Sequence, residues 1–512
     1  KKKKKMSGTC SVCEEGLCAE NSFRCREVYF HYGCGSITRR CSSVDVCEMK
    51  ENPLAKRLHP IYKDVVIVGN GPSGLSMSYV LAGRALTYNG RSHPDAILDA
   101  ALRSTLQKDA VITESDLSSL AQCVESRGGS TPLGHLLDHL VRPGADAGLR
   151  LPPVVDWSDH PTRSLSHVVI GKGPPGGTWK KMDGRTMTLS LSSWMELPGL
   201  PLHESEVGKK ERVTAEGVRV ATSTIADYYQ EYVHKMGLQK YQRRGIVTSV
   251  AEYDDADDVE NDKKINWVVE GRDLHGRKFR YLSKYVVLAC GTNDSPNRLG
   301  VPGERLPWVH HSTKDLDEFL RRQNPSKEDG PVLVVGSGLS AGDGVLCVRS
   351  HGATAFHIYR GKQGLSRWLP LTAYPEYLSV HELMTGAATC PTYRGTGSLR
   401  LARCHNGANG RRLVTLESSE GNSEVLEVSA VAILVGSAAD LSFLPRDDLG
   451  LQKGAVDPRS NPLDISLTTH QLNRLANCYG VGPLAGDMFV RHILGGVVAA
   501  ATHIQKTIRG IN

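Results

Sequence analysis

Twice in this chain a run of apolar strand formers stops at a glycine turn that opens a helical pattern: VVIVGNGPSGLSMSYV at 65–80 and PVLVVGSGLSAGD from Pro331. No other feature restricts the fold as tightly. In Gly69-Asn70-Gly71-Pro72-Ser73-Gly74 the first glycine allows a sharp turn and the second lets a pyrophosphate approach the backbone. The third lets the helix pack closely on the strand. In Gly336-Ser337-Gly338-Leu339-Ser340-Ala341 the third place is alanine, which the pattern admits. The helix N-terminus behind each turn offers free N–H groups and positive partial charge to a phosphate. With a strand before and a helix after, each turn points to a dinucleotide. The expected fold class is therefore α/β, with two dinucleotide-binding (Rossmann-type) domains.

Between the copies the pattern changes. DAILDAALRSTL and PLGHLLDHLV have helical spacing, so a helical insertion is expected over about 92–161. Short β-like runs follow at 167–171, 245–250, 266–270 and 284–290, two of which are expected to form an antiparallel crossover hairpin, with DDADD at 254–258 as a solvated loop. At ~150 residues per domain, 512 residues make about three domains' worth of chain. The expected division is a first domain over 61–325 that resumes at 431–512 and ends in a helix through RHILGGVVAAATHI. The second domain, at 326–430, is inserted between the two parts. Gly342 and Gly344 fall in the helix after the second turn, where each costs about 1 kcal/mol relative to alanine.

Residues 1–60 are a different kind of sequence. Of the 13 cysteines, seven fall before residue 50, but only Cys10-x-x-Cys13 has metal-like spacing and no second pair matches it. No metal site is expected, and this leader is expected to be poorly ordered or to lie outside the functional protein. With no secretory signal before the cysteines, a cytoplasmic location is expected. The net charge of +7 includes the five lysines of the opening KKKKK, so the rest of the chain is nearly neutral and nucleic acid is not implied. No apolar run reaches the ~20 residues of a membrane span.

Two dinucleotide folds, the second inserted midway, are the layout of flavoprotein oxidoreductases that bind FAD first and a nicotinamide cofactor second. GGTW, with Gly176, Gly177 and Trp179, follows the second strand of the first fold. LACGT, with Gly291 and Thr292, reads as the strand leading back to it. Arg360 ends the strand after the second glycine turn, where an acid selects NAD and an arginine accommodates the 2′-phosphate of NADP. With nearby Lys362 it indicates NADPH, the alternative being a solvated residue at a strand end. In GPLAGDMFVRH, Gly486 and Asp487 precede the C-terminal helix. Asp487 resembles the flavin-side acid that binds a ribityl hydroxyl, with a helix N-cap as the alternative.

Together VVIVGNGPSG, GKGPPGGTW, LSSWMELPGLP, DSPNRLGVPGE, VLVVGSGLSA, YPEY, VGSAADLSFLP and GPLAGDMFVRHILGG resemble the oxidative stress-induced growth inhibitor family, relatives of the flavin-containing monooxygenases. The resemblance runs from about Val65 to the C-terminus. It implies an FAD- and NADPH-dependent monooxygenase with roles in oxidative stress, restraint of proliferation, cell death and cytokinesis.

Three departures stand beside it. The strand HVVIGKG ends in Gly171 and Lys172, with no acid for the adenosine ribose of FAD. PWVHHS at 307–312 carries an aromatic and histidines without the monooxygenase spacing. Ser190, Ser192 and Ser193 stand where those enzymes place a flavin-side asparagine.

His311 and Trp194 are the candidates for side chains near the flavin, with packing as their alternative role. Cys290 reads as a small apolar residue at a strand end. Two functions stay open: an active monooxygenase on an unidentified small molecule or protein, and a non-catalytic regulatory protein acting through protein partners.

Overall fold

The computed structural model describes residues 22–25, 28–31 and 60–510, except 113–114, 116, 125–128, 215–216, 254–264, 324–329, 362–363, 366–369 and 453. The chain divides into Lys1–Arg57 and Leu58–Asn512. In the first unit the described backbone is an antiparallel hairpin, Ser22–Cys25 with Val28–His31. The rest of the expected leader, the acidic loop at 254–258 and Lys362 lie outside the described residues.

In Leu58–Asn512 the first glycine turn follows the strand Ile61–Val68, whose last four residues are buried. A strand covered on both faces reads as a continuous apolar run, and VVIV does so. The strand sits inside a six-stranded sheet in the order Cys478–Gly480, Lys278–Leu288, Ile61–Val68, His167–Gly171, Gln242–Glu252, Trp267–Asp273. Neighbours are parallel up to Gln242–Glu252, which pairs antiparallel with Trp267–Asp273. That last strand also pairs antiparallel with Lys278–Leu288. The expected hairpin is thus a three-stranded meander whose outer strands both continue into the parallel sheet.

After the helix Pro72–Leu81 the chain leaves this sheet. Arg84–Tyr88 pairs antiparallel with Val155–Asp159, and between them lie the helices Ala96–Thr105, Leu117–Ala121 and Pro132–Val141. Two of the helices are the two with helical spacing in the sequence. Asp95 caps the first by accepting from the N–H groups of Ile97 and Leu98, and Thr131 caps the third through Gly134, with Pro132 at the first helical position. Leu98, Leu102, Leu133, Leu136, Leu137 and Leu140 form one core with Leu494 and Val498 of the C-terminal helix Ile493–Arg509. At about 1.5–3 kcal/mol per buried leucine, this core fixes the insertion to the end of the first domain.

A buried ion network ties the insertion down further. The Arg491 guanidinium donates to Asp138 Oδ2 at 2.8 Å, reaches Asp146 at 2.9 Å and lies 4.3 Å over the Trp194 ring. Arg142 holds the other oxygen of Asp138 at 3.0 Å. Asp138 and Arg491 are nearly inaccessible, so neither charge is answered by water.

The second sheet is wholly parallel, in the order Val309–His310, Ala430–Ile433, Val332–Val335, Ala355–Ile358, Tyr393–Thr396. It starts earlier than the expected 326. Val309–His310 is too short to show any periodicity, and the next helix, Thr313–Gln323, places Leu316 and Leu320 in the core with Val332 and Val334. A three-stranded antiparallel sheet, Leu399–Asn406, Arg412–Ser418 and Ser423–Glu427, packs Leu401, Val414 and Leu416 against Leu333 and Phe356 of the parallel sheet.

The structure explains the two helical glycines. A Cβ at Gly344 would stand 2.5 Å from Leu434 Cδ1, and one at Gly342 would stand 3.3 Å from the Tyr377 ring. Their cost to the helix is the condition for its close packing. Ser295–Pro296, leaving the first domain, pairs antiparallel with Ser437–Ala438, returning to it.

Candidate functional site

Each glycine of the first turn is required for a different reason. Gly69 has φ +115°, and a Cβ there would lie 2.3 Å from the Ala289 carbonyl oxygen. At Gly74 a Cβ would lie 2.0 Å from the Gly69 oxygen, so the helix could not approach. Gly71 differs from both: its φ of −75° and ψ of −174° suit any residue, and a Cβ would meet nothing within 4 Å. Neither backbone nor packing demands glycine there, whereas a ligand lying against the backbone does.

The second turn repeats the arrangement. Gly336 has φ +145° and faces the Leu434 oxygen, Ala341 is fully buried, and Gly338 has φ −87°, ψ −179° and open space before it.

A cavity of about 390 Å³ opens over the first turn, lined by Gly69, Gly71, Gly177, Trp179, Gly291 and Thr292 among others. Gly176 supports this wall, its N–H donating to the Asn70 carbonyl at 2.9 Å. A larger cavity, about 1260 Å³, opens over the second turn and is lined by Gly336, Gly338, Asp343 and Arg360. Trp179, Asn293, Met488 and Val490 line both cavities. Two ligands bound by their phosphates at the two turns therefore reach toward one common wall, and that wall is mostly apolar.

The residues fit the groups that the fold implies. Gly71, before the N-terminus of Pro72–Leu81, leaves room for the pyrophosphate of FAD, and Trp179, Met488 and Val490 offer the flat apolar contact that a flavin ring needs. Gly338 does the same for NADPH, with Arg360 on the cavity for the 2′-phosphate. Sequence reasoning missed Arg400, which lines this cavity from the antiparallel sheet and pairs with Glu417. Nothing in its local sequence marks it.

Four expected site residues are placed elsewhere. Asp487 is fully buried and lines neither cavity. Its Oδ1 accepts from the Thr131 N–H at 2.8 Å and from Ser130 Oγ at 3.1 Å, so it binds the start of the insertion's third helix, and Gly486 before it lines neither cavity as well. The carboxylate thus anchors the N-cap residue of that helix and faces neither cavity. His311 bonds Arg298, which does line the larger cavity, but the ring itself does not. Trp194 lies under Arg491, away from both cavities. Of the three serines, Ser190 alone lines a cavity, while Ser192 Oγ accepts from the Val218 N–H at 3.1 Å.

The electrostatics separate groups able to react from groups that hold shape. Burial pushes the Cys290 thiol up to about 12, so at neutral pH it is neither a nucleophile nor a thiolate redox centre. Among the described residues no second cysteine lines either cavity. Burial raises Asp343 to about 6, even though its Oδ1 accepts from Tyr377 Oη at 2.9 Å. His357 is pushed down to about 4 by burial. Its Nε2 donates to the Gly336 carbonyl at 2.7 Å, which leaves Nδ1 to accept from Tyr393 Oη at 3.2 Å. A neutral imidazole of fixed tautomer thus holds the second glycine turn. Asp317, Cys347 and His351 converge as metal ligands would, but Arg185 and Arg321 already pair with Asp317.

The pyridine nucleotide-disulphide oxidoreductase model matches residues 162–370. The chain is 35% identical to oxidative stress-induced growth inhibitor 1 of Mus musculus over 462 residues, covering 86% of this chain and 95% of that protein. It is 34% identical to oxidative stress-induced growth inhibitor 2 of Homo sapiens over 471 residues, covering 85% and 91%. Among solved structures, the bacillithiol disulfide reductase of Bacillus cereus has a TM-score of 0.54 at 17% identity, covering 87% of this chain and 99% of that chain, a likeness of fold alone. The two-domain dinucleotide fold and the extent of these matches lead to one assignment: the chain belongs to the oxidative stress-induced growth inhibitor family.

Proposed function

We propose that the protein is an NADPH-dependent flavin monooxygenase. NADPH, a proton, O₂ and a nucleophilic or carbonyl substrate give NADP⁺, water and the substrate carrying one added oxygen atom. FAD supplies the electron transfer and the oxygen activation when bound. Gly71 and Gly338 carry the reading: protein conformation explains neither glycine, and each faces a cavity that meets the other at a shared wall.

The chain's own residues bind, align and shield. The first turn holds the FAD pyrophosphate, Gly338 and Arg360 hold NADPH, and His357 fixes the second turn through the Gly336 carbonyl. Trp179, Met488 and Val490 exclude water from the shared wall. A protein disulfide as electron acceptor would need two cysteines at the site, and among the described residues Cys290 alone lines either cavity, which favours oxygen. The family resemblance implies roles in growth restraint, cell death and cytokinesis beside this activity, and we place the protein in the cytoplasm.

A regulatory role without turnover is the second reading. It is favoured by the positions of Asp487 and His311, neither of which lines a cavity.

Anaerobic stopped-flow reduction of the flavin-loaded protein separates the two. NADPH is expected to bleach the absorbance near ~450 nm. Arg360→Ala is expected to weaken NADPH about ten- to a hundredfold, the equivalent of a charge-assisted contact worth about 1.5–3 kcal/mol, with NADH nearly unchanged. Equal losses for both nucleotides would remove Arg360 as the selectivity residue. A flavin-loaded protein reduced by neither nucleotide overturns the monooxygenase reading and leaves the regulatory one.

A further inference from the structure

Dinucleotide folds usually hold the adenosine ribose with an acid at the end of the second strand. Here that acid is absent, and there is no room for one at Gly171. A Cβ at Gly171 would stand 2.1 Å from Asn70 Cγ, and Asn70 cannot step aside because its Nδ2 donates to the Gly173 carbonyl at 2.9 Å. The next residue, Lys172, lines the cavity with the wrong charge for the task. Two ribose hydroxyls entering this cavity would still need an acceptor.

Two carboxylates reach the same cavity from elsewhere, Asp294 and Asp440. Lys172 Nζ lies between them, 2.6 Å from Asp294 Oδ2 and 2.9 Å from Asp440 Oδ2. Asp440 is already engaged, since its Oδ1 accepts from Ser442 Oγ at 2.7 Å and from the Ser442 N–H at 3.2 Å. Asp294 keeps more capacity: the nearest cation to its Oδ1 is Lys181, at 3.6 Å, and its side chain is only 11% exposed. Its backbone is fixed too, the N–H donating to the Ala438 carbonyl at 3.2 Å.

Resting on the FAD reading of the first turn, we infer that Asp294 is the adenosine-ribose acceptor of the flavin site. Lys172 and Asp440 are its positioning residues. Ribose recognition has moved from a strand end to the ribbon Ser295–Pro296 with Ser437–Ala438 that joins the two domains, because Asp294 immediately precedes that ribbon.

The test is calorimetric titration of apoprotein with FAD, FMN, ADP and 2′-deoxy-ADP, with circular dichroism to confirm that each variant is folded. Wild type is expected to bind ADP about tenfold or more tightly than 2′-deoxy-ADP. Asp294→Asn is expected to weaken FAD and ADP about ten- to a hundredfold, to abolish the preference for the 2′-hydroxyl and to leave FMN, which has no adenosine, unchanged. Asp440→Asn is expected to weaken ADP by a smaller factor and to keep the preference. A folded Asp294→Asn protein that still prefers ADP over 2′-deoxy-ADP overturns the inference, as does loss of the preference in Asp440→Asn alone. Wild-type apoprotein that binds neither FAD nor ADP would instead overturn the FAD reading itself.

Discussion

Replacing Gly71 by alanine adds one methyl group at a place where the protein has no objection to it. The backbone there is extended, and no heavy atom lies within 4 Å of the new Cβ, so apoprotein stability should change by less than about 0.5 kcal/mol. The methyl group projects into the space reserved for pyrophosphate. Losing two backbone hydrogen bonds to a charged phosphate, at about 1.5–3 kcal/mol each, amounts to about 3–6 kcal/mol, or roughly a hundred- to ten-thousandfold in FAD affinity. Gly74→Ala makes the opposite case. Its Cβ would press to 2.0 Å from the Gly69 oxygen, so overpacking should cost about 1–3 kcal/mol in the apoprotein itself. Urea denaturation of both apoproteins, with flavin fluorescence titration of Gly71→Ala, reads the two effects separately. A Gly71→Ala protein that binds FAD within threefold of wild type would refute the argument that a ligand, and not the fold, requires this glycine.

Asp138→Ala leaves Arg491 buried with Asp146 as its remaining partner and should destabilise the docked insertion by about 3 kcal/mol. Hydrogen exchange over 92–161 should rise, and unchanged exchange would count against the network. Burial holds the His167, His357 and His492 rings at about 4 in the folded protein, so on unfolding below pH 6.5 each takes up a proton. Asp343, at about 6, releases one in the same range. These four groups bind a net of two protons on unfolding, so their joint contribution to stability should fall by about 3 kcal/mol per unit as the pH drops through 5. Urea midpoints that stay level between pH 6.5 and 4.5 would contradict this. Removing residues 1–57 should leave flavin affinity and the unfolding midpoint unchanged, because the turns and cavities belong to Leu58–Asn512. A shift in either would assign the leader a part in the fold.

Local chemistry made part of this site legible in the sequence. The glycine turns could be read because their spacing lies within six residues, and the helices Ala96–Thr105 and Pro132–Val141 because caps and apolar spacing sit inside each segment. Asp487 shows the limit. Its neighbours in sequence suggest a ligand to the flavin, but its carboxylate is taken by Thr131, 356 positions earlier in the chain, which no local pattern discloses. Asp294 and Arg400 escaped for the same reason, since each reaches its cavity only through the path of the chain between folds. Val309–His310 escaped because two residues carry no period.

The nesting of one sheet inside another also sets an order of assembly on the ribosome. Ile61–Val68 is not flanked on both sides until Leu288 has been made, a wait of roughly ten to forty-five seconds at ~5–20 residues per second. The second sheet needs only the stretch from Val309 to Ile433 and can close while the first stands open. The helix Ile493–Arg509, against which both the insertion and Pro72–Leu81 pack, is synthesised after all of these. A ribosome that stalls or terminates short of Ile493 would thus release a finished inner domain attached to an outer one with its leucine-rich insertion uncovered. Such fragments should be the chaperone clients and degradation substrates among this protein's translation products.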